Sequence, residues 1–298
     1  MTPQQFKDKT RNIANEKHIH PQVIQRYFMM EKFLEKISES TYKDDFVLKG
    51  GFLIGSRYGI DKRSTVDIDT TFRNSKLTEE RIRNVFDELI KNPTAEGITF
   101  TLLSLKETRE ADFYPGFQAK FVATLDNAKI PFKLDITSGD SIYPNPPLHS
   151  HKLMFEDKEI KIPSYPTEQI VAEKLHATFN FGEDNSRMKD FYDLHVIPKI
   201  ETLDDKVLYK SIKRTFKQRN TNYTLKELHT QEMPNIVQSD VLKKRWESYQ
   251  KENRYSENIT YDEAVTSIGD LLEKMIIQES QEQKREHYNI KQIRDFER

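Results

Sequence analysis

Apolar side chains recur at helical spacing in the first forty residues and alternate with polar ones further along the chain. Residues 21–38 predict an amphipathic helix, because apolar residues recur there every three or four positions: Ile24, Tyr27, Phe28, Phe33, Leu34 and Ile37. Another helix is expected before it, over 3–15. The apolar run "DFVLKGG" predicts a short buried strand that stops at glycines, and "GFLIGSRYG" predicts a short helix directly after it.

The following segments predict a sheet. "STVDIDTTF" alternates and is rich in β-branched residues, so a strand is expected there, with a helix after it over 78–91. Three more strands are predicted at about 98–106, 117–125 and 130–138, the last two joined by a turn at Asp126-Asn127. The proline-rich segment 140–150 predicts a loop. We expect a domain boundary there, between residues 1–150 and residues 151–298.

The second half of the chain predicts mainly helices. The periodic segments are 165–179, 186–197, 205–219, 238–252 and 261–279. The residues after 279 are too highly charged to bury well, so a mobile tail or a partner-binding helix is expected. The fold class is therefore predicted as α+β, with a mixed sheet flanked by helices followed by a mainly helical domain.

Composition excludes several classes of protein. The chain has 298 residues, 36% hydrophobic and 32% charged, and its net charge of −1 identifies no partner. It has no cysteine, which excludes disulfides and thiolate metal sites and fits a reducing cytoplasm. The polar N-terminal stretch has no signal-peptide pattern, and no apolar run is long enough to span a membrane. We expect a cytoplasmic globular protein.

Paired carboxylates give the first candidate chemistry. Asp67 and Asp69 are two apart in a predicted strand, so their side chains project from one face. Two like charges on one face favour a shared cation, and Mg²⁺ prefers such oxygen ligands. Asp135 lies in another apolar strand that could run beside the first. Three such carboxylates predict a metal site for phosphate chemistry.

The glycine pair gives the second half of the pattern. Gly50 and Gly51 end a strand and open a helix, where backbone amides can approach a phosphate closely, and Lys49 adds charge. Either motif alone is more often structural than functional, but their combination with Asp135 favours function. The "HIH" and "HSH" segments do not indicate zinc, because no other ligands follow at matching spacing.

At this point the chain resembles a known family. The motifs, in order, are Gly50-Gly51, Arg63-Ser64, Asp67-x-Asp69, Lys133-x-Asp135, "EKLHA" and "RMKDFYDL". Together they are similar to the AbiEii/AbiGii nucleotidyltransferases, toxins of bacterial abortive-infection toxin–antitoxin systems within the DNA polymerase β-like superfamily. They span about 48–194, whereas residues 200–298 match by helical character only. Two features depart from the superfamily pattern: a glycine at 51, where serine is usual, and a long gap from Gly51 to Asp67.

The resemblance implies roles for these residues. Asp67, Asp69 and Asp135 would bind Mg²⁺ or Mn²⁺, with Asp135 as the third carboxylate or base. Lys174 and Asp190 would be further catalytic residues on the helical domain, which would complete the active-site cleft. The implied nucleotide- and phosphate-binding residues are Lys49, Gly50, Gly51, Arg63, Ser64, Lys133, Lys174, Arg187 and Lys189. From the residues alone, Lys174 could instead extend to solvent along an apolar face, and Arg187, Lys189 and Asp190 could form a solvated helix end.

A basic helix face is a separate signal. Six positive and no negative charges fall within residues 206–219, opposite a face of Leu208, Ile212 and Phe216. A nucleic-acid backbone would bind such a face, although a simple solvated surface is an equally good interpretation. The candidate nucleic-acid-binding residues are Lys206, Lys210, Lys213, Arg214 and Lys217, and the sixth positive charge is Arg219.

The expected function is transfer of NMP from an NTP to an acceptor with release of pyrophosphate. The resemblance implies a toxin active in phage defence, RNA (the tRNA 3′ end) as acceptor, and a winged-helix antitoxin as functionally linked partner. Three alternatives stay open. These are a nucleotidyltransferase that modifies protein, a phosphotransferase that releases NDP, and a catalytically inactive nucleotide- or RNA-binding module.

Overall fold

The computed structural model describes residues 1–110 and 114–296. It divides into two compact units: the first holds Met1–Asp140 and Asn145–Tyr165, and the second holds Ser141–Pro144 and the residues from Pro166 onward. The first unit therefore extends past residue 150, where the boundary was expected, because two further strands belong to it.

The first unit combines helices and strands. In chain order, its elements are α1 (Pro3–Lys17), α2 (Pro21–Glu39), β1 (Phe46–Lys49), α3 (Gly50–Tyr58), β2 (Asp67–Phe72), α4 (Glu79–Ile90), β3 (Thr99–Glu110), β4 (Tyr114–Leu125), β5 (Ala128–Ser138), β6 (Leu148–Lys152) and β7 (Glu159–Pro163). Within the described residues, β1 to β5 form one mixed sheet in the order β1-β2-β5-β4-β3. β2 and β5 run parallel, and the other neighbouring pairs are antiparallel. The predicted mixed sheet flanked by helices is confirmed.

One face of this sheet carries the core. On β5, Ile130, Phe132, Leu134 and Ile136 are buried, and Phe33 of α2 packs against Phe132 with ring centroids 5.5 Å apart. Because side chains alternate along a strand, residues 133, 135 and 137 point to the opposite face. The sheet thus buries its apolar residues on one side and presents the candidate polar residues on the other.

The second unit is helical, as predicted. Its helices are α5 (Thr167–Phe181), α6 (Met188–Ile200), α7 (Asp205–Gln218), α8 (Leu225–Glu227), α9 (Met233–Gln238), α10 (Asp240–Glu252) and α11 (Tyr261–Phe296), with a π-helical turn over Leu228–Glu232 between α8 and α9. α11 continues past the predicted end at 279, because the charged segment is rich in strong helix formers such as Glu, Gln, Lys and Arg. None of the described helices is long and apolar enough to cross a membrane.

Two predictions of secondary structure need correction. The end of the predicted loop 140–150 is strand β6, which pairs antiparallel with β7 in a separate hairpin. The prolines that precede β6 concealed it, and both strands are only five residues long. The helical segment from α8 to α9 was not predicted, because a π-turn breaks its periodicity and Pro234 follows.

Candidate active site

A tight turn between β1 and α3 forms one side of the candidate site. Gly50 has a φ of 66°, the left-handed conformation that glycine adopts most readily. A Cβ atom at this position would lie 1.9 Å from Asp69 Oδ2, so no side chain fits. The Gly51 amide, in the first turn of α3, donates a hydrogen bond to Asp69 Oδ2 at 3.4 Å. The glycine turn and the aspartate strand are thus in direct contact.

The three predicted carboxylates lie side by side on the polar face of the sheet. Asp67 and Asp69 follow one another on that face of β2, and the parallel register places Asp135 of β5 beside Asp69. One oxygen from each carboxylate lies within 4.8 Å of the other two. Lys133 is opposite Asp67 in the same register, and its side chain is exposed.

Asp135 has an unusual protonation equilibrium. Burial raises its pKa to about 6, helped by the negative charges of Asp69 and Asp67, while a hydrogen bond from Gln118 and the charge of Lys133 oppose the shift. Gln118 Nε2 donates this bond to Asp135 Oδ1 at 2.9 Å. Asp135 is therefore mostly ionised at pH 7 yet close enough to its pKa to accept a proton. Sequence reasoning missed Gln118, because only the strand register brings it opposite Asp135.

The carboxylate cluster fits a divalent cation. Three acidic side chains with oxygens this close repel one another, and a hard cation with oxygen ligands would relieve that repulsion. Asp67 Oδ1 also accepts a hydrogen bond from Thr65 Oγ1 at 2.5 Å, which fixes its orientation. The donor set is compatible with Mg²⁺ or Mn²⁺ and does not select between them.

The segment between α3 and β2 packs against the glycine turn. Arg63 is buried, and its Nη1 donates to the Ser64 carbonyl oxygen at 2.5 Å. A Cβ at Gly51 would lie 2.9 Å from Thr65 Oγ1 and 3.3 Å from Arg63 Nη2. The residues between α3 and β2 thus place Arg63 and Thr65 over the first turn of α3, which accounts for the long gap before Asp67.

Lys49 is held in a polar cage on the same face. Its ammonium group donates to Thr137 Oγ1 at 2.7 Å and to Asp140 Oδ2 at 2.9 Å. Asp140 Oδ2 also accepts from Thr71 at 2.6 Å and from the Tyr165 hydroxyl at 3.0 Å. Sequence reasoning placed Asp140 in a loop and gave it no role, since its partners are distant in the chain.

A second polar cluster lies in the helical unit. Lys174 Nζ on α5 is 2.6 Å from Asp190 Oδ1 and 2.7 Å from Asp193 Oδ2, both on α6. Arg187 Nε lies 3.2 Å from Asp190 Oδ2, and Lys189 is half-buried. Burial alone would raise the pKa of Asp190, but the charges of Lys174 and Arg187 lower it. Asp190 is thus a buried anion and not a solvated helix end, and Asp193 shares the same lysine.

The basic face of α7 is present as expected. Leu208, Ile212 and Phe216 are buried on one side. Arg214 stacks on the ring of Tyr143, with 4.3 Å between the guanidinium carbon and the ring centroid. The candidate nucleic-acid-binding residues are all exposed: Lys206, Lys210, Lys213, Arg214 and Lys217.

The histidines of the "HSH" segment lie outside the carboxylate cluster. Ser56 Oγ is 2.6 Å from both His149 Nε2 and His151 Nδ1. His151 Nε2 lies 2.7 Å from Glu31 Oε1. This buried network joins α2, α3 and β6.

The chain is similar to a known protein family and to several solved structures. The family model described as "Nucleotidyl transferase AbiEii toxin, Type IV TA system" matches residues 32–267. A Helicobacter pylori crystal structure, described as a candidate nucleotidyltransferase, has a TM-score of 0.48 at 14% identity, covering 86% of this chain and 96% of that one. JHP933 from Helicobacter pylori gives 0.45 at 15% identity, with 91% and 98% covered. An antigenic nucleotidyltransferase-like protein from Paracoccidioides brasiliensis gives 0.36 at 13%, with 82% and 93% covered. Among curated proteins, none matches the chain.

Proposed function

The chain belongs to the AbiEii family of nucleotidyltransferase toxins of type IV toxin–antitoxin systems, and from this premise we propose that it transfers a nucleoside monophosphate from an NTP to RNA in a reaction that depends on Mg²⁺ or Mn²⁺. An acceptor hydroxyl oxygen forms a bond to the α-phosphorus, the bond from that phosphorus to the bridging oxygen of the β-phosphate breaks, and pyrophosphate leaves. The expected acceptor is the 3′ end of tRNA, and the toxin's growth arrest would serve phage defence.

The carboxylates supply the central chemistry. Asp67, Asp69 and Asp135 would hold the metal, which neutralises phosphate charge and lowers the pKa of the attacking hydroxyl when bound. The family resemblance also offers Asp135 as the base that accepts the hydroxyl proton. Gln118 orients Asp135 through its hydrogen bond.

The surrounding groups would bind the substrates. The amides of Gly50 and Gly51 at the start of α3 favour a phosphate, with Lys133, Arg63 and Ser64 as further contacts. We assign Lys174, Asp190, Arg187 and Lys189 to substrate binding or catalysis from the family motifs, and Lys49 from its charge beside the glycine turn. The exposed basic face of α7 would bind the RNA backbone. A winged-helix antitoxin is the expected functional partner.

The single observation that carries the proposal is the convergence of three carboxylates next to a glycine turn that admits no side chain. The test incubates the protein with α-³²P-labelled NTPs, Mg²⁺ or Mn²⁺, total RNA and total protein. We expect label in tRNA and release of pyrophosphate, with loss of both in Asp69→Asn and retention in Asp126→Asn, a matched change in the exposed β4–β5 turn.

The outcomes separate the alternatives. Label in protein and not in RNA would refute RNA as the acceptor, and NDP in place of pyrophosphate would identify a phosphotransferase. Label that persists at wild-type level in Asp69→Asn would refute the assignment of the site itself.

A further inference from the structure

A buried ion pair lies on the same sheet face as the carboxylate cluster. The side chains of Lys49 and Asp140 are 12% and 6% exposed, and their charged atoms are 2.9 Å apart. The Tyr165 ring lies over the pair, with the Lys49 ammonium nitrogen 5.4 Å from the ring centroid. Burying two charges costs desolvation free energy, so a buried ion pair is weak evidence for stability and indicates another role here.

The strand register shows how close the pair is to the three aspartates. Lys49 on β1 is the antiparallel partner of Asp69 on β2, so the two side chains share one face at directly opposite positions. Thr71 and Thr137, which bond Asp140, each lie two residues beyond Asp69 and Asp135 on their strands. The two threonines that contact Asp140 therefore continue the same polar face of the sheet beyond the aspartates.

Lys49 and Asp140 have opposite effects on a metal bound by the three aspartates. A cation at Lys49 repels a divalent ion bound by Asp69 and its neighbours, whereas an anion at Asp140 attracts it. Burial by itself would raise the pKa of Asp140, but the charge of Lys49 and hydrogen bonds from Thr71, Lys49 and Thr137 hold it well below its usual range. Asp140 is thus a permanent anion at neutral pH.

We infer that Asp140 is a positioning residue of the metal site: it holds Lys49 in place and cancels its charge, so that the three aspartates keep their full attraction for a divalent ion. This inference rests on the proposed function, because it takes those aspartates as the metal ligands. Lys49 then fixes the end of β1, where the glycine turn begins, without adding net positive charge to the site.

The test measures Mn²⁺ binding to the full chain by electron paramagnetic resonance without nucleotide, at a temperature where each variant is folded. We expect the Mn²⁺ dissociation constant to rise roughly tenfold in Asp140→Asn, because a unit charge within about 10 Å of a divalent ion changes its binding by one decade or more. The double variant Lys49→Met/Asp140→Asn removes both charges, so its dissociation constant is expected to return to within about threefold of wild type.

Glu31→Gln is the matched control. It replaces the acidic member of another buried pair in the same unit, that with His151, and is expected to lower the thermal midpoint without changing Mn²⁺ affinity. Asp140→Asn that folds and binds like wild type would overturn the inference, as would a double variant that binds as weakly as the single one. If the single variant does not fold, Lys49→Met decides together with the double variant, because loss of the cation alone is expected to lower the Mn²⁺ dissociation constant, and an unchanged constant overturns the inference. Failure of wild type itself to bind Mn²⁺, or binding unaffected by Asp69→Asn, would refute the proposed metal site instead.

Discussion

The carboxylate cluster should make the metal-free protein less stable than it would be with one charge fewer. Asp135→Asn removes the acidic group whose pKa is raised to about 6, while Gln118 can still donate its hydrogen bond to the amide oxygen. In the absence of metal, this variant is expected to be more stable than wild type. In the presence of metal the order should reverse, because the variant has lost one of the three carboxylates proposed to bind the metal.

The magnitude follows from the pKa. The difference between about 6 and the ordinary value of 3.8 corresponds to about 3 kcal/mol at roughly 1.4 kcal/mol per pKa unit. Because Asp135 is only partly buried, solvent screening reduces this figure, and we expect a gain of ~1.5 kcal/mol near pH 7.5. At a metal concentration one hundred times the dissociation constant, metal binding should raise the free energy of unfolding of wild type by about 2.7 kcal/mol, and the variant should lack this increase.

The assay is urea unfolding with EDTA and with Mn²⁺, from pH 7.5 to pH 5. Between about pH 4 and pH 6, the folded metal-free protein holds a proton on Asp135 that the unfolded chain has lost. The free energy of unfolding of metal-free wild type therefore rises as the pH falls through about 6. This rise should be absent in Asp135→Asn, and Asp126→Asn should behave like wild type throughout. An Asp135→Asn protein that is less stable than wild type in EDTA would refute the reasoning.

Three further predictions address the turn, the second cluster and the basic face. Gly50→Ala should abolish labelling in the enzyme assay and lower the free energy of unfolding in urea by more than Gly97→Ala does. Both positions have positive φ, but only at Gly50 would the added Cβ clash with Asp69. Lys174→Met should cost about 3–5 kcal/mol in unfolding free energy, since it removes the cation that two buried carboxylates share; a loss under 1 kcal/mol would contradict this. Charge reversal on α7 should flatten the salt dependence of RNA binding without changing the thermal midpoint, and an unchanged slope would place the RNA elsewhere; the residues to reverse are Lys210, Lys213 and Lys217.

The features that sequence could predict are those encoded locally. Asp67 and Asp69 share a face because strand side chains alternate, and this holds whatever the rest of the fold does. The glycine turn was also visible, because an apolar run that stops at a glycine pair before a helix predicts a tight turn. The position of Asp135 beside Asp69 needed one further assumption, that their strands are neighbours, and the parallel register bears it out.

The partners of these residues could not be predicted, because they depend on contacts distant in sequence. Asp140 is 91 residues from Lys49, and no local pattern pairs them. Gln118 looks like any polar residue of an alternating strand until register places it opposite Asp135. The β6–β7 hairpin was hidden in the same way, since its strands are too short for a clear period.

The glycine at position 51 shows how the two kinds of information combine. From sequence it was a departure, since the family pattern has a serine there, and the long gap before Asp67 was a second one. The structure makes them one feature: the additional residues bring Thr65 to the space that a side chain at 51 would need, and the Thr65 hydroxyl bonds Asp67. Gly51 and Thr65 therefore depend on each other, and the site retains a hydroxyl beside its first aspartate although the serine is absent.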